Sequence, residues 1–340
     1  MTGKRRFAHV LGVGYLVSLA LLIIVMRFVG EQNWITTLLL YLPRVGFFLP
    51  LPVVVIAYLA VGDRRRAVTS TIAATVLIVF PLMGFRWKGP RPAAPGQIRV
   101  MTWNTYYGRV DNDAIRRMVA DENPDIFVAQ ATAHRTRELF RADPGGYALE
   151  NDEEFFLATK FPVVEKVSFA DAPDETRHRA NYVRYTLKTP TGLVDLFSMH
   201  PKSPRTGVDR FRGTGLRTKL AQGELPDDTG PIEENTELRR RQVEDVAAAV
   251  RASKNPVIVA GDTNLPTLSW LYDRTFGQLQ DSFTATGRGF GYTFPAKRAW
   301  LRIDRVLADD HFRFLESHVG PTIASDHHYV VADLFPEPNR

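Results

Sequence analysis

The chain has 340 residues, 45% of them apolar and 24% charged, no cysteine and a formal net charge of +6. That mixture excludes a disordered or collagen-like chain, and the missing thiol excludes a disulfide scaffold, a thiolate zinc centre and a cysteine nucleophile. Residues 1–90 hold ten Lys/Arg against two acids and carry +8, whereas the remaining 250 residues hold 33 against 35 and carry −2. The positive excess therefore belongs to the first quarter and does not mark a nucleic-acid-binding surface on the rest.

Three apolar stretches come first. Between residues 7 and 29 only His9 and Arg27 are or can be charged, and the uncharged run 10–26 follows Lys4-Arg5-Arg6. Further stretches cover residues 45–61 and 67–83. Each run of roughly 17 residues, at about 1.5 Å per residue, approaches the hydrocarbon thickness of a bilayer, which predicts three transmembrane helices. Residues 34–43 end at Pro43-Arg44 and read as an interfacial or re-entrant lead-in to the second span. A cleaved signal peptide fits less well, because no small-residue cleavage site follows Met26. Lys4-Arg5-Arg6 and Arg64-Arg65-Arg66 fall on one side of a three-helix arrangement. The positive-inside tendency puts that side in the cytoplasm, so the remainder is expected to be extracytoplasmic in a multi-pass cell-membrane protein. Absence of cysteine fits that side.

Residues 89–96, Gly-Pro-Arg-Pro-Ala-Ala-Pro-Gly, read as a linker. The expected division is therefore an anchor at 1–88, a linker at 89–97 and a folded domain at 98–336. Within the domain, strands are predicted over 98–103, 126–129, 193–199, 256–260, 303–307 and 329–334, with helices over 113–121 and 237–253. Strands interleaved with helices point to an α/β domain, large enough for two sheets with helices outside. Residues 202–235 read as a long polar loop, basic at first (Lys202, Arg205, Arg210, Arg212, Arg217, Lys219) and acidic later, of the kind that is functional or disordered.

Several predicted strands end in polar residues with no packing reason to be there. They are Asn104 after Trp103, His200 after Ser198-Met199, Asp262-Thr263-Asn264 after Gly261, Asp304 within Ile303-Asp304-Arg305, and Asp326-His327 after Ser325. Loops at strand ends are where sites are built. Carboxylates, carboxamides and imidazoles without a thiol suit a hard divalent cation acting on phosphate. Taken singly, Asp-x-Asn is more often an Asx turn and Ser-Asp-His a helix cap. His134, His178, His311 and His318 lack a strand-end context and read as surface residues.

Taken in order, residues 98–104, Asn123-Pro124-Asp125 through Gln130, His200, 257–264, Ile303-Asp304 and Ser325-Asp326-His327 resemble the endonuclease/exonuclease/phosphatase superfamily. That superfamily includes pancreatic deoxyribonuclease, abasic-site endonucleases, inositol-phosphate phosphatases and neutral sphingomyelinases. The segment Gly289-Phe290-Gly291-Tyr292-Thr293-Phe294-Pro295 looks like its bacterial membrane-anchored branch. The resemblance implies a four-layer α/β/β/α sandwich of two mostly antiparallel sheets and a Mg²⁺-dependent phosphodiesterase or phosphatase, with Mn²⁺ as an alternative ion.

Carried over by position, it makes Asn104 a metal-site or phosphate-site amide and His200 a phosphate-side histidine. Asp262 would activate or orient the attacking water, with Asn264 beside it on the phosphate. Asp304 would support the site or a second ion, Asp326 would be a metal ligand or the partner of His327, and His327 would stabilise the transition state.

One departure stands out. The family places its principal magnesium ligand, a glutamate, directly after the glutamine that ends the second strand, and here Gln130 is followed by Ala131. A methyl group cannot coordinate Mg²⁺. Three readings stay open: a pseudoenzyme that binds phosphoesters without cleaving them, a substituted form of an active enzyme, or a carboxylate supplied from elsewhere, with Glu153 and Glu154 as candidates. Anchoring favours a substrate at the bilayer, such as a lipid head group or lipid-linked phosphate. A nuclease is disfavoured by the net −2 of the domain, since long nucleic acids need many Lys/Arg contacts.

Overall fold

The computed structural model describes residues 3–109, 111–170, 180–205, 230–321 and 324–337. The apolar N-terminal sequence forms four helices: α1 (Gly3–Phe28), α2 (Trp34–Tyr41), α3 (Leu51–Ala60) and α4 (Arg64–Leu77). The α1 helix and the stretch Arg64–Leu82, in which α4 runs on through one π turn, are long and apolar enough to cross a membrane. The middle stretch passes the same test only when Trp34–Tyr41 is joined to Arg44–Ala60, and that pair is bent by 96°. Leu42-Pro43 causes the break: the residue before a proline is pushed to extended geometry, and Leu42 has φ −75° and ψ 150°. Outward faces such as Val10, Val17, Leu21, Ile24, Val53, Ile56, Val68 and Ile72 are exposed, while Leu19, Met26, Val54, Tyr58, Ala74 and Ile78 pack inward.

After the N-terminal helices, β1 (Arg86–Trp87) leads to β2 (Ile98–Asn104), helix α5 (Asn112–Glu122), β3 (Ile126–Gln130), helix α6 (His134–Ala142), β4 (Ala148–Asp152) and β5 (Phe155–Thr159). Next come β6 (Val163–Ala170), β7 (Ala180–Thr189), β8 (Gly192–Met199), helix α7 (Gly230–Ala252), β9 (Val257–Asp262) and helix α8 (Trp270–Phe276). The chain ends with β10 (Gln280–Asp281), helix α9 (Ser282–Thr286), β11 (Arg288–Gly289), β12 (Asp304–Ala308), β13 (Phe312–Val319) and β14 (Val330–Pro336).

Two six-stranded sheets form, in the orders β13-β14-β2-β3-β5-β4 and β10-β12-β9-β8-β7-β6. Each has a single parallel pair at its centre, β2–β3 in one and β8–β9 in the other, and is otherwise antiparallel. Their facing sides interdigitate through Val100, Val128, Leu157, Val183, Leu196, Ile258, Val306 and Ala332. On one outer side α5 and α6 bury Ile115, Val119 and Phe140 against Trp103, Phe127 and Phe156. On the other, α7 and α8 bury Val243, Val246 and Phe276 against Phe197 and Val259. This is the four-layer sandwich expected.

The parallel pairs position the site, because their carboxyl ends fall at one end of the sandwich. Asn104 lies in register with Gln130, Met199 with Gly261, and Asp304 with Asp262. Gly261 is required for this closeness, since its φ is +152° and a Cβ there would sit 2.2 Å from the Met199 carbonyl oxygen.

Helix α7 begins seven residues before the expected position 237, which shortens the long loop read over 202–235. Its first turns bury Ile232, Asn235, Thr236 and Arg239, and the Arg239 guanidinium donates to Asn235 Oδ1 at 2.8 Å and to Thr236 Oγ1. Polar side chains bonding one another inside a helix give no apolar periodicity to read. Arg210, Arg212, Arg217 and Lys219 of the basic run, and His178, lie outside the described residues.

Candidate active site

Asn104, His200, Asp262, Asn264, Asp304, Asp326 and His327 come from five separate strand ends and loops, yet the structure brings them together. Asp262 is central. Its Oδ2 accepts from Asn104 Nδ2 at 3.0 Å and lies 3.7 Å from His200 Nε2 and 3.8 Å from His327 Nε2. Its Oδ1 accepts from the Asn264 backbone N–H at 2.9 Å, an Asx turn that holds Asn264 at φ +51°. The turn reading of Asp-x-Asn and the site reading are thus both satisfied by one loop. The Asn264 amide itself donates to the Pro201 carbonyl at 2.9 Å.

Each imidazole has a carboxylate behind it. His327 Nδ1 lies 2.9 Å from Asp304 Oδ2, and His200 Nδ1 lies 3.0 Å from Glu154 Oε1. Burial works against a charged His327, but Asp304 and Asp262 outweigh it and raise its pKa to about 9. Burial also opposes the charged form of His200, and the charge and hydrogen bond of Glu154 carry it above the ordinary histidine value. Asp262 shifts upward because it is buried and because the Asp304 carboxylate faces it.

The loop 325–327 is fixed by its backbone. Ser325 Oγ donates to the Asn104 carbonyl at 2.6 Å and accepts from the His327 N–H at 3.1 Å, while Trp103 Nε1 donates to the His327 carbonyl at 3.0 Å. Ser325 is therefore a turn anchor, and it leaves Asp326 at the mouth of the site. Asp326 Oδ2 accepts from Arg205, but its Oδ1 is buried and accepts no hydrogen bond among the described residues.

Ala131 is 2% exposed and left-handed at φ +49°. Of the two acids considered as substitutes, Glu153 is exposed, whereas Glu154 is 8% exposed and turned inward. The backbone ties Glu154 to this position, for the Thr132 N–H donates to the Glu154 carbonyl at 3.0 Å. Its carboxylate bonds His200 through one oxygen and accepts from the Tyr107 hydroxyl at 2.6 Å through the other. Tyr107 and Arg205 had no strand-end signal in the sequence; both sit on irregular segments and reach the site only through folding. Glu154→Gln is expected to reduce kcat/KM about tenfold to a hundredfold, because the carboxylate that orients His200 becomes a neutral amide. Steady-state kinetics on a phosphodiester checks this.

His134 is exposed, as expected, whereas His311 and His318, read as surface residues, are half-buried away from the site. His318 pairs with Glu122 at 3.3 Å.

A family model described as "Endonuclease/Exonuclease/phosphatase family" matches residues 101–327, two-thirds of the chain and all seven of these residues. The chain belongs to the endonuclease/exonuclease/phosphatase family. Members of this family are phosphoester hydrolases. No curated protein matches the sequence.

Among solved structures, an endonuclease/exonuclease/phosphatase from Beutenbergia cavernae is similar at 20% identity and a TM-score of 0.50, over 71% of this chain and 72% of that one. D. rerio TDP2 complexed with a single-strand DNA product is similar at 13% identity and a TM-score of 0.52, over 70% and 99%. A mannosyl-6-phosphatase of Bacteroides thetaiotaomicron is similar at 18% identity and a TM-score of 0.50, over 70% and 99%. At these identities the likeness establishes the endonuclease/exonuclease/phosphatase fold. The covered share matches the length of the sandwich without the four N-terminal helices.

Proposed function

We propose that this chain is a membrane-anchored phosphoester hydrolase dependent on a divalent cation, with residues 1–88 as anchor, 89–97 as linker and 98–336 as catalytic domain. The observation that carries the reading is Asp262 lying between two carboxylate-backed imidazoles, beside Asp326 Oδ1, which accepts no hydrogen bond among the described residues.

A divalent cation fits the residues present. Carboxylate oxygens of Asp262 and Asp304 lie within 4.8 Å of one another beside His327, and Asp326 adds a buried oxygen that accepts no hydrogen bond among the described residues. Hard donors of this kind suit Mg²⁺ or Mn²⁺. Asp326 and Asn104 would hold the ion, which when bound would polarise a phosphoryl oxygen and offset charge at the ester.

The side chains supply the rest. Asp262, with its raised pKa, is a base placed to accept the proton of an attacking water as the new P–O bond forms and the ester P–O bond breaks. His327, kept cationic by Asp304, and His200, backed by Glu154, donate toward the phosphoryl oxygens as negative charge builds there.

The apolar helices favour a bilayer-borne substrate, a lipid head group or lipid-linked phosphate, and the multi-pass topology with cytoplasmic N-terminus and extracytoplasmic domain follows from the basic clusters. The test is hydrolysis of phospholipid or lipid-linked phosphate in vesicles against soluble DNA. Faster turnover of the vesicle substrate supports this reading, and turnover of DNA alone overturns it in favour of a nuclease.

Ala131 favours a second reading, a phosphoester-binding protein with little turnover. Ala131→Glu is expected to tighten Mg²⁺ binding and raise Mg²⁺-dependent phosphodiester hydrolysis about tenfold, the order of one restored ligand shell. Unchanged or lower activity means that position 131 is not where a ligand is missing.

A further inference from the structure

The N-terminal helices do more than reach a membrane. Buried polar side chains from residues 31–44 are spent on the loop that follows β9. Glu31, 8% exposed, accepts from Ser269 Oγ and from the Leu271 N–H, and Arg44, 3% exposed, donates to the Thr267 carbonyl at 3.3 Å. Tyr41, 2% exposed, donates its hydroxyl to the Asn264 carbonyl at 2.8 Å. The same tyrosine accepts at its backbone carbonyl from Trp300 Nε1 at 3.2 Å.

Trp300 closes a second loop, 294–301, which leans on the other half of the site. The Phe294 ring lies 4.6 Å from the His327 ring, and the Ala296 N–H donates to the Asp326 carbonyl at 2.8 Å. Leu301 and Ile303, directly before Asp304, belong to the apolar core of the anchor. The end of the anchor and the linker are fastened as well, with Lys88 N–H on the Gly287 carbonyl and Arg91 N–H on the Leu315 carbonyl. A tether that only held the domain near a bilayer would need none of these bonds, and buried polar groups are costly unless each is matched.

We propose that the anchor is part of the framework of the active site and that Tyr41 is its positioning residue, setting Asn264 through its hydroxyl and the 294–301 loop through its carbonyl. This rests on the reading that Asn264 and His327 act on the phosphoester. Tyr41 touches neither substrate nor cation; it fixes the two loops that do, and a misplacement of about 1 Å in such groups costs up to a hundredfold in rate.

The test uses the full chain in detergent or nanodiscs, with Tyr41→Phe, which removes one oxygen and keeps the ring. With bis-p-nitrophenyl phosphate and Mn²⁺, kcat is expected to fall about tenfold with KM within about twofold, the order of one buried hydrogen bond. Hydrogen exchange is expected to speed up about tenfold in peptides covering 262–271, with 98–104 unchanged. Trp300→Phe is expected to do the same over 294–301. Unchanged kcat, or unchanged exchange in 262–271, overturns the proposal. If the unsubstituted chain turns over no phosphoester, the functional reading fails by itself, and the exchange measurement still decides whether the anchor holds these loops.

Discussion

Replacing Asp262 by asparagine is expected to lower kcat by about three orders of magnitude while leaving the fold intact, a loss of roughly 4 kcal/mol in transition-state stabilisation. The substitution is nearly isosteric and keeps one oxygen for the Asn264 N–H. It removes the proposed base, and it removes the charge toward which Asn104, His200 and His327 are turned. Kinetics on a phosphodiester together with thermal unfolding separate the two effects. Retention of more than about a tenth of the activity would mean that the water is activated elsewhere.

Asp281→Asn is expected to destabilise the sandwich by about 3–5 kcal/mol without touching the site. Asp281 is buried on the edge strand β10, where it accepts from Arg302 at 2.6 and 2.7 Å and from Arg305 at 2.7 Å, and it caps α9 through the Thr284 N–H at 2.8 Å. Both arginines are themselves buried, so the amide would leave two guanidinium groups out of water without a counter-charge. At the usual few degrees per kcal/mol for a domain of this size, the unfolding midpoint should drop by about 10 °C.

The pH dependence has a definite sign. Burial opposes ionisation of Asp281, but Arg302 and Arg305 hold its carboxyl well below the usual carboxylate range. A depressed pKa gives stability that is present above the ordinary value of 3.8 and is lost only as pH falls far below it. Acidifying from pH 7 to 4 should therefore not reproduce the destabilisation. A midpoint within about 2 °C of the parent for Asp281→Asn would contradict the account of this pair.

The parts of the fold legible in the sequence are those where apolar periodicity and polar strand ends coincide. The central strands β2, β3, β8, β9, β12 and β14 fall within one or two residues of expectation because both faces of each are buried and each ends at a site residue or a turn. The outer strands β6 and β7 and helix α6 went unread. In the strands, Glu165 of β6 pairs with Arg184 of β7 and Lys166 of β6 with Glu150 of β4 in the other sheet, so charged residues blur the alternation. In the site, Asp262 and His327 were legible as polar groups ending apolar runs. Glu154 was legible only as an acid near the departure at Ala131. Tyr41 was not legible at all, because a tyrosine in an apolar helix looks like membrane-interface packing until the fold sets it against Asn264.

The central claim is that side chains from five strand ends and loops make one divalent-cation site for phosphoester hydrolysis. Turnover of bis-p-nitrophenyl phosphate by the full chain, measured across a titration of Mg²⁺ and Mn²⁺ with chelation and re-addition, tests it most directly. The expected result is activity that saturates at millimolar cation or below, vanishes on chelation and returns on re-addition. Absence of turnover at every cation concentration by a folded protein would contradict it and leave a binding module in its place.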